Sequence, residues 1–249
     1  MKKNKYIAII IVTLILSCIT SKQAYGLEAI KEKKTVYLTF DDGPSPGTTN
    51  EIIKVLNENN IKATFFIIGS KARENSGVIK KTSDFGMCIM PHTDRHEYNK
   101  IYYSAKNYFD DLKNCEDTII NLTGKTNFEF IRMPGGSDNT VSNSNVLDEI
   151  REKIISSNRY YIDWSVDTGD TETTETSIDF IESRVREYGG LYKVEVVLMH
   201  DLQNKITTIE SLQNIIDFYK EKGYEFKTLD NIEKSEIDYL KDIRVINKK

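Results

Sequence analysis

An apolar run that ends in two adjacent carboxylates occupies residues 36–44, with the sequence Val36-Tyr37-Leu38-Thr39-Phe40-Asp41-Asp42-Gly43-Pro44. Its β-branched and aromatic residues predict a buried strand, and Gly43-Pro44 predicts a turn directly after it. Further runs of this kind lie at 63–68, 87–90, 128–131, 160–166 and 194–199. Segments of helical period separate them, so the chain alternates strand and helix. This alternation predicts an α/β fold with a mostly parallel sheet, either open or closed into a barrel.

The helical segments are recognised by apolar residues that recur every three or four positions. They lie at 48–60, 104–122 and 206–222. Ser104 is a suitable N-cap for the second helix, and Gly124 a suitable stop. Tyr224–Phe226 is predicted to add a last short strand, and the charged tail 233–249 to be peripheral.

The N-terminal 26 residues have the anatomy of a secretory signal peptide, with early lysines, an apolar stretch and a small-x-small site at Ala24-Tyr25-Gly26. The apolar stretch is shorter than the about 20 residues of a membrane span, so an uncleaved anchor is the second interpretation. Lipidation at Cys18 is a third. A short linker (27–34) and one catalytic domain (35–232) are expected to follow. The chain is thus predicted to be secreted or held at the cell surface, and to be a monomer.

Charge and cysteine content restrict the partners of the exported domain. Loss of residues 1–26 removes four of the 34 basic residues, which leaves 30 against 38 acidic ones and a formal net charge of −8. An acidic domain argues against nucleic acid as a partner and leaves neutral sugar polymers open. Cys88 and Cys115 could pair, but each lies in an apolar segment and is expected to be a small buried hydrophobe.

Polar clusters follow the predicted strands one after another. Asp41-Asp42 follows the first strand, and His92, Arg132, Asp167 and His200 follow later ones. The loops that leave the carboxyl ends of parallel strands converge on one face of α/β folds. We therefore expect these clusters to meet in one site.

A catalytic metal site is the chemistry that this set favours. Two adjacent carboxylates repel each other, and a cation bound between them would offset this repulsion. His92 and His96 are spaced to lie on one side of a helical turn, within reach of one ion. Taken singly, Asp41-Asp42-Gly43-Pro44 could be an ordinary turn, and the histidines could be exposed.

The remaining clusters carry functional and structural interpretations side by side. Arg132 could hold a carboxylate by paired hydrogen bonds, and the Gly-rich turn after it could bring backbone N–H groups to an oxyanion. Asp167 and Asp170 could orient Arg132 and His200. Asp163 is expected in a salt bridge or at an exposed edge. The single tryptophan, Trp164, is expected in the core rather than as a sugar platform.

Together the clusters resemble the polysaccharide deacetylase family, carbohydrate esterase family 4, over roughly Val36 to Leu229. Five signatures occur in order: Thr39-Phe40-Asp41-Asp42-Gly43, His92-Thr93-x-x-His96, Arg132-x-Pro134-x-Gly136, Asp167-Thr168-Gly169-Asp170 and Leu198-Met199-His200. The resemblance implies a distorted (β/α) barrel with mostly parallel strands. It also implies removal of N-acetyl groups from chitin-like or peptidoglycan sugars.

Residue roles come from the same resemblance. It implies that Asp42, His92 and His96 bind a divalent metal, commonly zinc, with cobalt, manganese or nickel as other choices. It implies that Asp41 is the general base and His200 the general acid. Arg132 would steady Asp41, and Asp170 would tune His200. Gly135 would donate its backbone N–H to the oxyanion, and Pro134 and Leu198 would shape the pocket for the acetyl group.

Three positions depart from the family pattern. Thr171 stands where the fourth signature usually has Trp, and Met133 and Gly135 stand where the third usually has Pro and an aromatic residue. These positions shape the walls of the sugar groove. We therefore expect a shallower or wider groove and an altered substrate preference.

The sequence leaves several functions to compare. The favoured one is an exported, metal-dependent deacetylase of peptidoglycan N-acetylglucosamine, with chitin or another poly-N-acetylhexosamine as the alternative substrate. A non-haem iron oxygenase could use His92, Asp94 and His200 as ligands. A wall-binding module without activity could keep the fold.

Overall fold

The first strand, β1, lies at the centre of the sheet and is buried along nearly its whole length. The structure is a computed structural model that describes residues 33–248. Its strands are β1 Lys34–Asp41, β2 Thr64–Ile67, β3 Cys88–Pro91, β4 Phe130–Ile131, β5 Tyr160–Tyr161, β6 Val166–Asp167, β7 Val194–His200 and β8 Tyr224–Phe226. A strand buried on both faces reads as a continuous apolar run, which is the pattern of residues 36–40.

All strand pairs of the two sheets are parallel. Six strands form one sheet in the order β3-β2-β1-β7-β6, with β8 beside the first half of β1, and β4 pairs with β5 in a second, two-stranded sheet. The single-domain α/β fold with mostly parallel strands is therefore confirmed. Among residues 33–248 the six-stranded sheet stays open, and the β4-β5 pair is not hydrogen-bonded to it.

Helices cover the sheet between successive strands. They are α1 Thr48–Glu58, α2 Gly69–Glu74, α3 Ser76–Asp84, α4 Tyr98–Ile101, α5 Ala105–Thr123, α6 Ser144–Ser156, α7 Ile178–Tyr188, α8 Ile206–Glu221 and α9 Lys234–Asp242. The predicted ends of α5 are confirmed: the Ser104 hydroxyl accepts a hydrogen bond from the Asn107 N–H, and Gly124 ends the helix in the left-handed conformation.

The run 160–166, predicted as one strand, forms two short strands instead. Tyr160–Tyr161 pairs with β4, whereas Val166–Asp167 pairs with β7. The chain between them passes from one sheet to the other. Periodicity alone cannot show this, because both pieces are apolar and lie in one continuous run.

The C-terminal tail is not peripheral, in contrast to the prediction from its charge. Ile237 and Leu240 of α9 are buried, and Ile246 forms an antiparallel bridge with Ile162. The Tyr37 hydroxyl of β1 donates a hydrogen bond of 2.8 Å to the buried Glu236 carboxylate. Most charged residues of α9 lie on its outer face, whereas its apolar residues and Glu236 face the interior.

The predictions for the N-terminus concern residues that lie largely outside the described part of the chain. The predicted signal peptide 1–26 and most of the linker 27–34 precede residue 33, where the described part of the chain begins. Export, anchoring and lipidation at Cys18 therefore remain predictions. Within residues 33–248, none of the helices has the length and apolar content to cross a membrane. Cys88 and Cys115 are buried and free, as expected of small hydrophobes.

Candidate metal and catalytic site

The register of β1 and β7 aligns Asp41 with His200 at the carboxyl ends of the two strands. Residues paired in this way point to the same side of a sheet. A regular continuation of β1 would direct Asp42 to the opposite side. Asp42 instead has a φ of 72°, a left-handed conformation that Asp tolerates better than most residues. This local turn lets two adjacent carboxylates reach one cavity.

Two side chains hold this turn from outside the predicted signatures. Lys71 donates from Nζ to the Asp42 carbonyl oxygen at 2.8 Å. The buried Asp201 lies against Gly43 so closely that a Cβ at position 43 would be 2.0 Å from its Oδ2. Only glycine therefore fits here without displacing Asp201. Burial raises the pKa of Asp201 to about 7; the Thr49 hydroxyl opposes this effect, and the charges of Asp42 and Asp41 add to it.

His92 and His96 reach the site from a loop, so the predicted helical turn is wrong. Thr93 and His96 have φ values of 73° and 58°, which are incompatible with an α-helix. His92 Nδ1 lies 2.8 Å from the Arg132 carbonyl oxygen, which can only accept a hydrogen bond. Nδ1 therefore carries the proton, and the Nε2 lone pair of His92 faces the cavity.

Asp42, His92 and His96 each direct one ligand atom to a common point. The Oδ1 of Asp42 is 3.3 Å from His92 Nε2 and 3.2 Å from His96 Nε2. This Oδ1 is buried and has no hydrogen-bond partner within residues 33–248. A buried carboxylate oxygen beside two imidazole nitrogens is costly unless a cation joins them. The three residues fit a divalent metal, and two nitrogens with one oxygen leave coordination positions open.

The charge states of these residues agree with ligation. Burial works against ionisation of Asp42, but the neighbouring His92 and His96 outweigh it and hold the pKa of Asp42 below its usual range. Burial and the nearby His92 lower the pKa of His96 to about 4, against the charge of Asp42. At neutral pH His96 is therefore neutral, which is the form that binds a metal.

The loop between the two histidines is fastened by Asp94. Arg73 donates to both carboxylate oxygens of Asp94, at 2.6 and 2.9 Å, and Asp111 accepts from the backbone N–H of Asp94 at 2.6 Å. Asp94 is thus engaged away from the metal ligands. This contradicts the iron-oxygenase interpretation, which needs Asp94 and His200 as ligands.

Arg132 is fully buried and holds the general-base candidate. Its Nη1 donates to Asp41 Oδ1 at 3.0 Å and to the Thr39 hydroxyl at 2.6 Å. Its Nε and Nη2 donate to the Ile162 and Asp163 carbonyl oxygens. Arg132 is therefore oriented by these four partners and not, as predicted, by Asp167.

Asp163 and Asp167 both differ from their predicted environments. Asp163 is buried and accepts two hydrogen bonds from Ser137, so it is neither salt-bridged nor exposed. Asp167 accepts from the Gly169 N–H at 2.8 Å and lines the cavity. Through its two hydrogen bonds from Ser137, the Asp163 carboxylate fixes the turn after Arg132.

His200 is held by Asp170, as the sequence analysis predicted. Asp170 Oδ1 lies 2.8 Å from His200 Nδ1, and its Oδ2 accepts from the His200 N–H and from the Thr208 hydroxyl. Burial alone would lower the pKa of His200, but Asp170, with Asp41 and Asp42, raises it to about 9. His200 is therefore protonated at neutral pH, with Nε2 left to act on a ligand.

These residues surround one open cavity of about 280 Å³. Its walls include Gly135, Leu198 and Met133, whereas Pro134 is buried and contributes its carbonyl oxygen to a hydrogen bond from Tyr102. Trp164 is half-buried and packs against the core, as predicted, and it also lines the cavity. The remaining lining residues are Asp41, Asp42, His92, His96, Tyr98, Asp167, Gly169, Thr171, Glu172 and His200.

Sequence reasoning missed several members of the site. Asp201 directly follows His200, and an acid adjacent to a strand-end histidine was a signal that could have been used. Tyr98 lies two residues after His96, and its contribution follows only from the loop path. Lys71 donates to the Asp42 carbonyl oxygen from the second helix, and no pattern in the sequence indicates this contact.

Comparison with known proteins gives concordant matches. A family model described as polysaccharide deacetylase matches residues 28–153. A peptidoglycan-N-acetylglucosamine deacetylase of Bacillus cereus is 30% identical over 200 residues, which cover 79% of this chain and 70% of that protein. The PgdA peptidoglycan-N-acetylglucosamine deacetylase of Listeria monocytogenes is 32% identical over 81% of this chain, but this match spans only 39% of its own length.

A solved structure shows the same similarity in three dimensions. The catalytic domain of a peptidoglycan N-acetylglucosamine deacetylase from Eubacterium rectale superimposes with a TM-score of 0.73 at 31% identity. The match covers 80% of this chain and 90% of that domain. Similarity therefore extends over almost all of the residues that form the fold and its cavity.

Proposed function

Because this chain belongs to the polysaccharide deacetylase family, we propose that it is an exported, metal-dependent enzyme that hydrolyses the N-acetyl groups of cell-wall glycan. Peptidoglycan N-acetylglucosamine is the favoured substrate. Chitin or another poly-N-acetylhexosamine is the alternative. The products are acetate and a sugar with a free amino group.

One observation carries the proposal. Asp42, His92 and His96 converge on one point beside an Asp41–Arg132 pair and an Asp170–His200 pair. The three converging residues fit a divalent cation, zinc being the favoured one. The Asp41–Arg132 pair offers a carboxylate held in place by a buried arginine, and the Asp170–His200 pair offers a protonated imidazole. Hydrolysis of an amide needs a base for water and an acid for the leaving amine, and this cavity offers one of each.

Asp41 would act as the general base. Its Oδ1 is engaged by Arg132, and its Oδ2 lies 4.0 Å from His92 Nε2, on the side of the metal ligands. Arg132, which also donates to the Thr39 hydroxyl, fixes the direction of the carboxylate, so the Oδ2 lone pairs are available to a water molecule. Asp41 accepts the proton as that water attacks the acetamide carbon.

His200 would act as the general acid. It is protonated at neutral pH, and Asp170 orients its ring from the opposite side. Proton donation to the departing nitrogen avoids the expulsion of an amine anion. Since Asp170 is itself tied to Thr208 and the His200 N–H, the imidazole ring keeps its direction during the transfer.

A bound divalent ion supplies positive charge that lowers the pKa of water and stabilises developing oxyanion charge. Asp42, His92 and His96 would hold it. Gly135 has a φ of 75° and lies at the cavity wall, where its backbone N–H would donate to the same oxyanion. Leu198 provides an apolar surface for the acetyl methyl group.

The substrate and the cellular location rest on different support. The relatives that are named as peptidoglycan N-acetylglucosamine deacetylases favour that glycan. The lysine-led apolar N-terminus favours export, with membrane contact only if this segment is retained. A monomer remains the expected oligomeric state.

The test is acetate release from purified peptidoglycan and from chitin oligomers, with and without chelator, combined with elemental analysis of the protein. We expect release from peptidoglycan that stops on chelation and returns with zinc. Acetate release from neither polymer by metal-loaded protein would contradict the proposal. Faster release from chitin would select the alternative substrate.

A further inference from the structure

Two aromatic rings enclose the glycine pair that follows Arg132. A Cβ on Gly135 would lie 3.0 Å from Tyr98 Cε1 and 3.2 Å from the Tyr98 hydroxyl oxygen. A Cβ on Gly136 would lie 3.3 Å from Trp164 Cη2. The glycines thus allow both rings to pack directly against the backbone of this turn.

The ring of Tyr98 is held at the cavity by a second contact. It meets the His96 ring edge-on, with 5.0 Å between the centroids. Tyr98 lines the same cavity as the metal ligands and Asp41. Its position next to the reacting groups is therefore defined by the turn on one side and by His96 on another.

The chemistry of Tyr98 differs from that of its neighbours. Most groups around it are carboxylates and imidazoles, which the proposed reaction already uses. Tyr98 has no role in proton transfer in that reaction. It offers a flat apolar face and one hydroxyl, a combination suited to a pyranose ring, whose C–H groups form apolar faces and whose hydroxyls lie around the edge.

We propose that Tyr98 is a specificity-determining residue that packs against the N-acetylhexosamine unit in the cavity and donates a hydrogen bond to one of its hydroxyls. This inference rests on the proposed function and extends it to recognition of the sugar. Trp164 is less suited to a test of this role, because it also contacts Arg132. The Cζ of the Arg132 guanidinium lies 5.8 Å from the centroid of the Trp164 ring. Replacement of Trp164 would disturb the residue that holds Asp41.

The experiment compares Tyr98→Ala and Tyr98→Phe with the wild-type enzyme. Steady-state kinetics are measured on an N-acetylglucosamine oligomer and on a small aryl acetate, which needs the reacting groups but has no sugar ring. Zinc content is determined for each variant, because Tyr98 contacts a metal ligand. Tyr103→Ala is the matched control, since Tyr103 is 78% exposed and lies outside the cavity.

For Tyr98→Ala we expect a rise in KM for the oligomer of roughly tenfold, with normal zinc content and a clearly smaller loss of aryl acetate hydrolysis. Tyr98→Phe retains the ring and loses one hydrogen bond, so its KM should rise only about fivefold. Tyr103→Ala should match the wild type.

An unchanged oligomer KM in Tyr98→Ala, while the wild type deacetylates the oligomer, would overturn the role of Tyr98 and leave the proposed function intact. An equal loss on oligomer and aryl acetate would also overturn it, because that result indicates damage to the reacting groups. Failure of the metal-loaded wild type on every N-acetylated glycan would instead overturn the proposed function, and the role of Tyr98 with it.

Discussion

At the residue scale, the division of work between the two adjacent acids is the central feature. Asp41 is neutralised by the buried guanidinium of Arg132, whereas Asp42 faces two imidazoles. Neighbouring carboxylates in one cavity would otherwise repel each other and favour protonation of one of them. Arg132 thus pairs with one carboxylate and leaves the other to face the imidazoles, so that the first can serve as a base and the second as a ligand.

Replacement of Asp41 by Asn separates these roles. The amide is isosteric but cannot accept the proton of water, so we expect acetate release to fall by about 10²–10⁴-fold. Zinc content should stay at the wild-type level, because Asp42, His92 and His96 are intact. Asp84→Asn, at an exposed position, is the control. Retention of full activity would exclude Asp41 as the base, and no activity in the wild type itself would favour the wall-binding module.

The pH dependence tests His200. Its pKa is raised to about 9, so the proton needed by the leaving amine is present at neutral pH and is lost as the pH rises through 9. The alkaline limb of the kcat profile should therefore fall near pH 9. In Asp170→Asn the stabilising carboxylate is lost, and the limb should shift toward the ordinary histidine value of about 6.5. An unmoved limb in this variant would argue against His200 as the acid.

At the element scale, the loop from His92 to His96 carries the two proposed histidine ligands without helical support. The Asp94 carboxylate fastens this loop by accepting two hydrogen bonds from Arg73. The spacing of the two histidines could predict that both lie within reach of one ion, and their role as metal ligands came from the family resemblance. It could not predict the loop, since a spacing of four residues fits a helical turn equally well and the left-handed conformations at Thr93 and His96 leave no trace in composition.

Asp94→Ala should loosen this loop. We expect zinc affinity to fall by about 10–100-fold, the range found when groups that orient metal ligands are removed. A competition titration with a chromogenic zinc chelator measures the change. Glu97→Ala, in the same loop region and half-exposed, serves as the comparison and should retain affinity within about threefold. Equal affinity in Asp94→Ala and the wild type would show that the ligands keep their geometry without this anchor.

Helix α9 shows where charge was a misleading signal. Its exposed residues are mostly charged, yet Ile237 and Leu240 lie on the buried face. Leu240→Ala should lower the free energy of unfolding by about 2–5 kcal/mol through loss of buried contacts and formation of a cavity. Denaturant titration checks this value, and the exposed Ser235→Ala should change stability by at most about 0.5 kcal/mol. If the tail were peripheral, neither substitution would change the free energy of unfolding appreciably.

At the scale of the whole molecule, the sequence predicted the meeting of distant clusters but not the shape of the sheet. Asp41, His92 and His200 meet because each stands at the carboxyl end of a parallel strand, and the alternation of apolar runs with helical segments predicts parallel strands. The division of 160–166 between two sheets depends on packing against residues far along the chain, such as Ile246. Local pattern contains no information on such partners.

Metal binding should couple the site to the stability of the entire domain. Zinc that binds only the folded state adds about 2.7 kcal/mol when its concentration is 100 times its Kd. Thermal unfolding with zinc should therefore occur at a higher temperature than after chelation. His92→Ala should abolish most of this difference, and an equal response in this variant would indicate that zinc stabilises the protein elsewhere.

The pairing of Asp41 with His200 links turnover to the integrity of the central sheet. The proposed proton acceptor and proton donor stand on adjacent core strands, which are generally the last parts of a protein to open under native conditions. Hydrogen exchange at these two strands should therefore be slow, and loss of activity in urea should coincide with global unfolding rather than precede it. An enzyme arranged in this way is either fully competent or denatured, with little room for a partly active intermediate.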